Sequence, residues 1–194
     1  MDAKEAMHFF CRSIARKIRC YEADVGASVT ENLKIRRATE NDAARLVEIY
    51  NPFVLSSTVT FEETPVDAKE MGRRIEEKLL KHDWLVGELN ENIAGFAHYG
   101  TFRPRAAYGH TVESTIYMAE GYSGRGLGRE LYSALIRSAE EKRYRELIGV
   151  IALPNPASIA LHERLGFQQI GLLSGVGFKL GRYVDVSLWQ RPVR

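Results

Sequence analysis

The hydrophobic and polar positions follow two different periods along the chain, which predicts a mixed fold of strands and helices. Apolar residues recur at helical spacing in two long segments and in two shorter ones, and polar residues fill the opposite faces. The predicted helices are a segment capped by Asn41 or Asp42, then 67–81, 129–143 and 158–165. Short runs rich in β-branched, aliphatic and aromatic residues predict the strands 34–38, 83–89, 93–101, 111–118, 146–153, 167–173 and 183–189.

A glycine-rich segment, Ser123-Gly124-Arg125-Gly126-Leu127-Gly128-Arg129, joins a predicted strand to a predicted helix. Backbone N–H groups at a helix N-terminus favour phosphate, and glycine lets a ligand approach the backbone closely. The ATP-binding P-loop does not fit, because Arg129 and Glu130 stand where Lys and Ser or Thr are needed. The dinucleotide fingerprint also fails, because Arg129 occupies its third glycine position.

The remaining phosphate-binding pattern is the pyrophosphate loop of acyl-CoA N-acyltransferases, Gln/Arg-x-x-Gly-x-Gly/Ala. Arg125-Gly126-Leu127-Gly128 matches its core, although Ser123 stands where Gln or Arg is usual. An ordinary glycine turn before a helix is the alternative interpretation of the loop alone.

Longer stretches resemble one family in order and spacing from Leu33 to Val193. The chain is similar to the Gcn5-related N-acetyltransferase (GNAT) superfamily, and within it to the phosphinothricin and methionine sulfoximine N-acetyltransferases. The stretches that carry the resemblance are Ile35 to Thr39, Ser57 to Phe61, Val112 to Tyr117, Leu153 to Asn155, His162 to Phe167 and Gly177 to Val186.

This resemblance implies the fold class and the domain boundaries. An α/β (α+β) GNAT fold is expected, with a central mixed, mostly antiparallel sheet, helices on both faces, and a gap where strands 4 and 5 splay apart. The gap admits the pantetheine arm of acetyl-CoA. We expect this domain at 32–194, preceded by an N-terminal extension at 1–31 in which the spacing of Phe10, Ile14 and Ile18 predicts a basic amphipathic helix.

The resemblance also implies roles for particular residues. Glu113 takes the position of the general base, and His162 lies by the active site, where it assists proton movement or has only a structural role. Arg103, Arg105 and Tyr108 match residues that bind the acidic substrate, and Phe61 matches an apolar wall of its pocket. The residues expected to contact acetyl-CoA are Ile116, Tyr117, Met118, Gly124, Arg125, Gly126, Leu127, Gly128, Arg129, Asn155 and Ser158.

Two departures from the family pattern are visible in the sequence. Many members of the superfamily use a tyrosine near Phe167 as general acid, and here the ring has no hydroxyl. Leu180 stands between Lys179 and Gly181, where close relatives often have histidine.

Composition limits the other function classes. A length of 194 residues, 45% hydrophobic and 27% charged, suits one globular domain, and the formal net charge of +2 carries no nucleic-acid signature. No apolar run reaches the roughly 20 residues of a membrane span. The five histidines lack metal-ligand spacing, so no metal is predicted.

Cysteine usage bears on the mechanism. Cys11 and Cys20 both lie in the N-terminal extension, so the domain has no cysteinyl acyl-enzyme available and no disulfide framework. We therefore expect a cytoplasmic enzyme, a homodimer by the resemblance, in which the α-amine of a small amino-acid analogue attacks acetyl-CoA directly in a ternary complex. There are two alternatives: an N-acetyltransferase that acts on another amine, or a non-catalytic acyl-CoA-binding module.

Overall fold

The structure, a computed structural model, describes residues 33–193. The predicted N-terminal helix, Cys11 and Cys20 lie outside the described residues. Among the described helices, none is both long and apolar enough to cross a bilayer.

Within residues 33–193, seven strands and four α-helices follow one another in the order that the sequence predicts. The strands are β1 (Lys34–Arg37), β2 (Trp84–Leu89), β3 (Asn92–Thr101), β4 (Thr111–Met118), β5 (Glu146–Ala152), β6 (Gln168–Lys179) and β7 (Arg182–Pro192). The helices are α1 (Ala43–Ser56), α2 (Ala68–Leu79), α3 (Leu127–Glu141) and α4 (Pro156–Arg164), with short 3-10 turns at Glu40–Asp42 and Ala106–Tyr108.

All seven strands form one sheet in the order β1-β2-β3-β4-β5-β7-β6. The β4–β5 pair is parallel and every other pair is antiparallel. This parallel pair needs a crossover connection, which α3 provides. The mixed, mostly antiparallel sheet of the predicted fold class is thereby confirmed.

Helices cover both faces of the sheet and create two apolar cores. On one face α3 buries Leu131, Leu135 and Ala139, which lie at helical spacing and are fully inaccessible to solvent. On the other face α1 and α2 bury Leu46 and Ile75 against the sheet. Because both faces are covered, most of β5 is apolar, as expected for a central strand.

The C-terminal hairpin is longer than the sequence predicts. We expected a strand ending at Leu173, but β6 continues to Lys179. The pairing register shifts between Leu173 and Gly177, where Gly175 has a φ of +60° and its N–H donates to Asp185 Oδ1 at 2.7 Å. The glycines hide this bulge in the sequence, because they interrupt the alternation by which a strand is recognised.

Candidate active site

A cleft opens in the sheet where β4 and β5 stop pairing. The ladder runs from Thr111↔Glu146 to Ser114↔Gly149, and beyond this last pair β4 pairs only with β3. The other edge of residues 115–118 therefore faces a gap. A cavity of about 430 Å³ fills the gap, and its lining includes Ser114, Ile116, Tyr117, Met118, Val150, Ala152 and His162.

The glycine loop forms one end of this cleft. Gly124 and Gly126 have φ angles of +78° and +85°, a region that L-residues with side chains rarely adopt. A Cβ at either position would meet no atom within 4 Å, so the backbone there is open to a ligand. Gly126 is the N-cap of α3 and provides no capping side chain, which leaves the helix N-terminus available to an anion.

Some of the remaining loop residues line the cleft, and one of them packs into the hydrophobic core. Ser123, Gly128 and Arg129 line the cleft together with the two glycines. Leu127 does not line it, because its side chain is buried in the core, 3% exposed. Any contact of Leu127 with a ligand therefore involves its backbone, and the buried side chain fixes the position of the loop. Arg125 is exposed and lies over the ring of Tyr122 at 5.4 Å.

The first turn of α4 forms the opposite wall. Asn155 is the N-cap of this helix, and its Oδ1 accepts from the Ser158 N–H at 3.1 Å. Both residues also line the cleft. The carbonyl of Ser158 in turn accepts a hydrogen bond from His162 Nδ1 at 2.8 Å.

His162 is buried between α3, α4 and β5, with 4% of its surface exposed. Because Nδ1 donates to the Ser158 carbonyl, the neutral ring has Nε2 free to accept, and the Tyr132 hydroxyl lies 3.2 Å from it. The Tyr132 hydroxyl is also 2.7 Å from Ser114 Oγ, which donates to the Ile148 carbonyl at 3.2 Å. Burial lowers the pKa of His162, so the ring is neutral at pH 7.

Glu113 lies on β4 one residue before Ser114 and points away from this network, toward the face covered by α1 and α2. It is half-buried, and burial raises the pKa of its carboxyl, an effect that the positive charge of Lys78 opposes. A carboxylate with a raised pKa beside a cleft has the properties of a general base.

A second cavity, of about 470 Å³, lies on the α2 side of the sheet. Gly100, the register partner of Glu113, lines it, whereas Glu113 lines neither cavity. Its lining includes Tyr50, Glu62, Arg74, Lys78, His98, Gly100, Thr115 and Tyr117. Thr115 and Tyr117 line both cavities, so β4 separates the two spaces and presents side chains to each.

The residues predicted to bind substrate lie around this face but outside the lining of both cavities. Phe61 packs its ring over Gly177 so closely that a Cβ there would overlap with the ring. The loop carrying Phe61 is attached to β6 by Lys179, whose ammonium donates to the Thr60 carbonyl at 2.7 Å.

Arg103 and Arg105 are exposed on the loop between β3 and β4. The guanidinium of Arg103 lies over the rings of Phe102 and Tyr108, at 5.1 and 5.9 Å. This loop starts and ends at the Thr101↔Val112 pair, which is next to the Gly100↔Glu113 pair in the β3–β4 ladder.

Several residues that build the site were missed from the sequence. In the sequence, Tyr132 fits an ordinary core position of α3, and Ser114 is one residue of the stretch Val112 to Tyr117 with no role of its own. Neither Lys78 nor His98 belongs to a recognisable motif. Lys78 fits an ordinary polar position of the amphipathic helix predicted at 67–81. Only the tertiary arrangement shows that these side chains converge.

Metal binding has no support in residues 33–193. No group of three or more His, Cys, Asp and Glu side chains in this part of the chain is arranged to hold an ion.

Comparison with known proteins agrees with this geometry. Residues 35–188 match the family described as "Acetyltransferase (GNAT) domain". The phosphinothricin N-acetyltransferase of Streptomyces viridochromogenes is 38% identical over 159 residues, which cover 82% of this chain and 87% of that protein. The L-methionine sulfoximine/L-methionine sulfone acetyltransferase of Salmonella typhimurium is 35% identical and covers 81% of this chain and 93% of that protein.

A solved structure gives the same result in three dimensions. The phosphinothricin acetyltransferase of Sinorhizobium meliloti, in complex with acetyl-CoA, aligns with a TM-score of 0.80 at 36% identity, covering 83% of this chain and 88% of that one. The family predicted from the sequence is thus confirmed, and this chain belongs to the GNAT acetyltransferase family, close to its phosphinothricin and methionine sulfoximine N-acetyltransferases.

Proposed function

We propose that this chain transfers the acetyl group of acetyl-CoA to the α-amine of a small amino-acid analogue of the phosphinothricin, methionine sulfoximine or methionine sulfone type. The observation that carries the proposal is the cleft at the end of the β4–β5 ladder, which has an open glycine loop at one end. At the other end, Glu113 precedes Ser114, the β4 residue of the last β4–β5 pair. The names of the relatives with 35 to 38% identity give the substrate class.

The proposed roles follow from the geometry of the cleft. The backbone N–H groups of residues 124–128 hold the pyrophosphate, since the N–H of Arg129 donates to the Gly126 carbonyl at 3.0 Å. The unpaired edge of residues 116–118 receives the pantetheine arm by strand-like hydrogen bonds. Asn155 and Ser158 contact the arm from the opposite wall. A free N–H on the β4 edge also stabilises the developing oxyanion.

Glu113 removes a proton from the substrate ammonium, directly or through water, and the neutral amine attacks the thioester carbonyl carbon. The C–S bond then breaks, the acetyl group stays on nitrogen, and the second proton lost by that nitrogen passes to the thiolate, which leaves as CoA. This direct transfer in a ternary complex needs no covalent enzyme intermediate. His162 is a weaker candidate for the base, since both of its ring nitrogens are engaged by Ser158 and Tyr132.

The acidic end of the substrate is assigned to Arg103 and Arg105, with Tyr108 and Phe61 completing the pocket. Cation–π contacts orient the guanidinium of Arg103, which suits bidentate binding of a carboxylate or phosphinate. We expect substrate to draw this exposed loop toward Glu113.

The first experiment is a thiol-release assay with acetyl-CoA and a panel of amines. We expect turnover of the three analogues, and loss of about 10²-fold in kcat for Glu113→Gln with acetyl-CoA affinity unchanged. Arg103→Ala and Arg105→Ala should lower kcat/KM for acidic substrates only. Arg137→Ala, on the exposed face of α3, is the control and should leave kcat/KM unchanged for every substrate. Turnover of other amines alone would favour the alternative substrate class, and no turnover of any amine would contradict the proposal.

Cofactor binding has a separate test with an isosteric pair. Gly126→Asn and Gly126→Asp place side chains of nearly equal size at a φ of +85°, which Asn and Asp tolerate best among residues with side chains. Only Asp adds a negative charge against the pyrophosphate. We expect calorimetry to show much weaker acetyl-CoA binding for Asp than for Asn, and equal affinities would reject this loop assignment.

We also propose that the enzyme is a cytoplasmic homodimer with its catalytic domain at 32–194. The cysteine-free domain suits a reducing compartment. The edge strand β6 supports the dimer, because a second copy would cover its exposed apolar residues Ile170, Leu172, Leu173, Val176 and Phe178. Light scattering should give the mass of a dimer and, for Leu172→Lys, that of a monomer; a monomeric unmodified protein would contradict the proposal.

A further inference from the structure

Lys78 of α2 extends over the sheet toward the residue that pairs with Glu113. Gly100 of β3 is the register partner of Glu113, and the Lys78 ammonium lies above it. A Cβ on Gly100 would be 3.0 Å from Lys78 Nζ. The glycine therefore provides the space that brings a positive charge beside the proposed base.

The environment of Lys78 fixes the position of the ammonium. Burial and the charge of Arg74 lower the pKa of Lys78, and the negative charge of Glu113 opposes this effect. Nζ lies 3.3 Å from Nδ1 of His98 and 5.7 Å from the ring centroid of Trp84. Burial and the charge of Lys78 hold the pKa of His98 well below its usual value, so His98 is neutral and accepts this hydrogen bond. Within residues 33–193, no carboxylate forms an ion pair with Lys78 at 4.0 Å or less.

The other charged groups on this face do not replace Lys78. Arg74, also on α2, is engaged by Glu62 at 2.7 Å and by Glu70 at 2.8 Å. His82, in the turn after α2, has a pKa lowered by burial and by Lys78, so it is neutral at pH 7. On the opposite side β5 places the apolar Ile148 as register partner of Glu113.

We propose that Lys78 is a positioning residue that holds Glu113 in its ionised, base-competent form, with neutral His98 and the space above Gly100 fixing the ammonium beside it. This inference rests on the proposed role of Glu113. Without a nearby cation, burial would raise the pKa of this carboxyl further, and its protonated form could no longer accept a proton from the substrate. The opposing effects of burial and of Lys78 on the pKa of Glu113 agree with this arrangement.

The test compares three variants by two measurements. Lys78→Met removes the charge and keeps the length, Lys78→Arg restores a cation, and Lys69→Met removes an exposed charge from the first turn of the same helix. The first measurement is the carboxyl 13C titration of Glu113 in the free protein, assigned with Glu113→Gln. The second is the pH profile of kcat/KM.

We expect the pKa of Glu113 and the acid limb of the profile to rise together by about one pH unit in Lys78→Met. Lys78→Arg should return both close to their original values, and Lys69→Met should change neither. A purely structural role of Lys78 would lower activity at all pH values without moving the limb. Unchanged Glu113 titration in a folded Lys78→Met variant would overturn the inference.

Failure of the proposed function would look different. If the unmodified protein acetylated no amine, the kinetic profile would be lost, but the carboxyl titration would still show whether Lys78 acts on Glu113. If Lys78→Met did not fold, as judged by circular dichroism, Lys78→Gln would take its place in the titration.

Discussion

The imidazole of His162 lies against the backbone of Gly149 so closely that a Cβ there would be 2.6 Å from Nε2. Gly149 is the register partner of Ser114 in the last pair of the β4–β5 ladder. His162 connects back to Ser114 through the Tyr132 hydroxyl. The buried ring thus lies at the point where the two strands separate, and it lines the cleft there.

Gly149→Ala should be strongly destabilising. The new methyl group must displace the His162 ring, and overpacking of this kind costs about 1–3 kcal/mol. Gly171→Ala on β6 is the matched control, because its Cβ would make only ordinary contacts, at 3.7 Å. Urea denaturation of both variants checks the prediction, and equal stabilities would show that the ring moves away freely.

Glu113→Gln should stabilise the fold while removing activity. Burial raises the pKa of Glu113 in the folded state, so its destabilising effect is absent below the unfolded-state pKa and complete above the folded-state pKa. The gain in the free energy of unfolding should therefore grow as the pH rises above about 4, the unfolded-state pKa of a glutamate. Glu91→Gln, on an exposed turn, should show no such trend.

If Glu113→Gln were less stable than the unmodified protein at pH 8, burial of the carboxylate would not be costly. The raised pKa would then lose its explanation, and with it one argument for Glu113 as base.

Local signals in the sequence predicted the elements that form the cleft. The bounds of β4 agree with the predicted strand, and the glycine loop stands before α3 as expected. The helix begins at Leu127, two residues earlier than predicted, because Leu127 faces the core and Gly126 serves as the N-cap. Such features depend on residues close together in the sequence.

The features that were missed depend on residues far apart in the sequence. Tyr132 bonds to Ser114 and His162, which are 18 and 30 residues away, and Lys78 meets His98 across 20 residues. No periodicity marks such partners, because each side chain also fits an ordinary core or surface position. The family resemblance named His162 and left a structural role open, but the partners of its two ring nitrogens, Ser158 and Tyr132, are visible only in the structure.

Asp42→Asn should lose stability at neutral pH but not at low pH. Burial alone would raise the pKa of Asp42, but hydrogen bonds from Arg36 at 2.7 Å and from Thr39 outweigh it and lower the pKa. A carboxyl with a lowered pKa stabilises the fold above its unfolded-state pKa, and this contribution is lost as the pH falls through the folded-state value.

We expect Asp42→Asn to cost about 2 kcal/mol at pH 7. This cost is smaller than that of breaking a fully buried ion pair, because the side chain of Arg36 is 30% exposed. Denaturation at pH 7 and at about pH 3 checks the prediction, and the difference between the proteins should narrow at the lower pH. A constant difference would mean that the loss comes from packing and not from charge.

Leu180 has a φ of +53° at the tip of the β6–β7 hairpin, where it is followed by Gly181 at +73°. The two residues connect Lys179 to Arg182, which are paired in the ladder, so the loop has the two positive φ angles of a type I′ turn. A leucine in this conformation costs about 1–2 kcal/mol, whereas Gly and Asn adopt it readily. Its side chain is 56% exposed and lies outside the lining of both cavities.

Leu180→Asn and Leu180→Gly should therefore raise the free energy of unfolding by about 1 kcal/mol. Leu180→Ala is the control, because it removes the same exposed apolar surface but keeps a Cβ at the unfavourable φ. Thermal and urea denaturation of the three variants separate backbone conformation from loss of side chain. If alanine stabilised the protein as much as asparagine, exposure of the leucine would explain the gain, and the strain at this turn would be negligible.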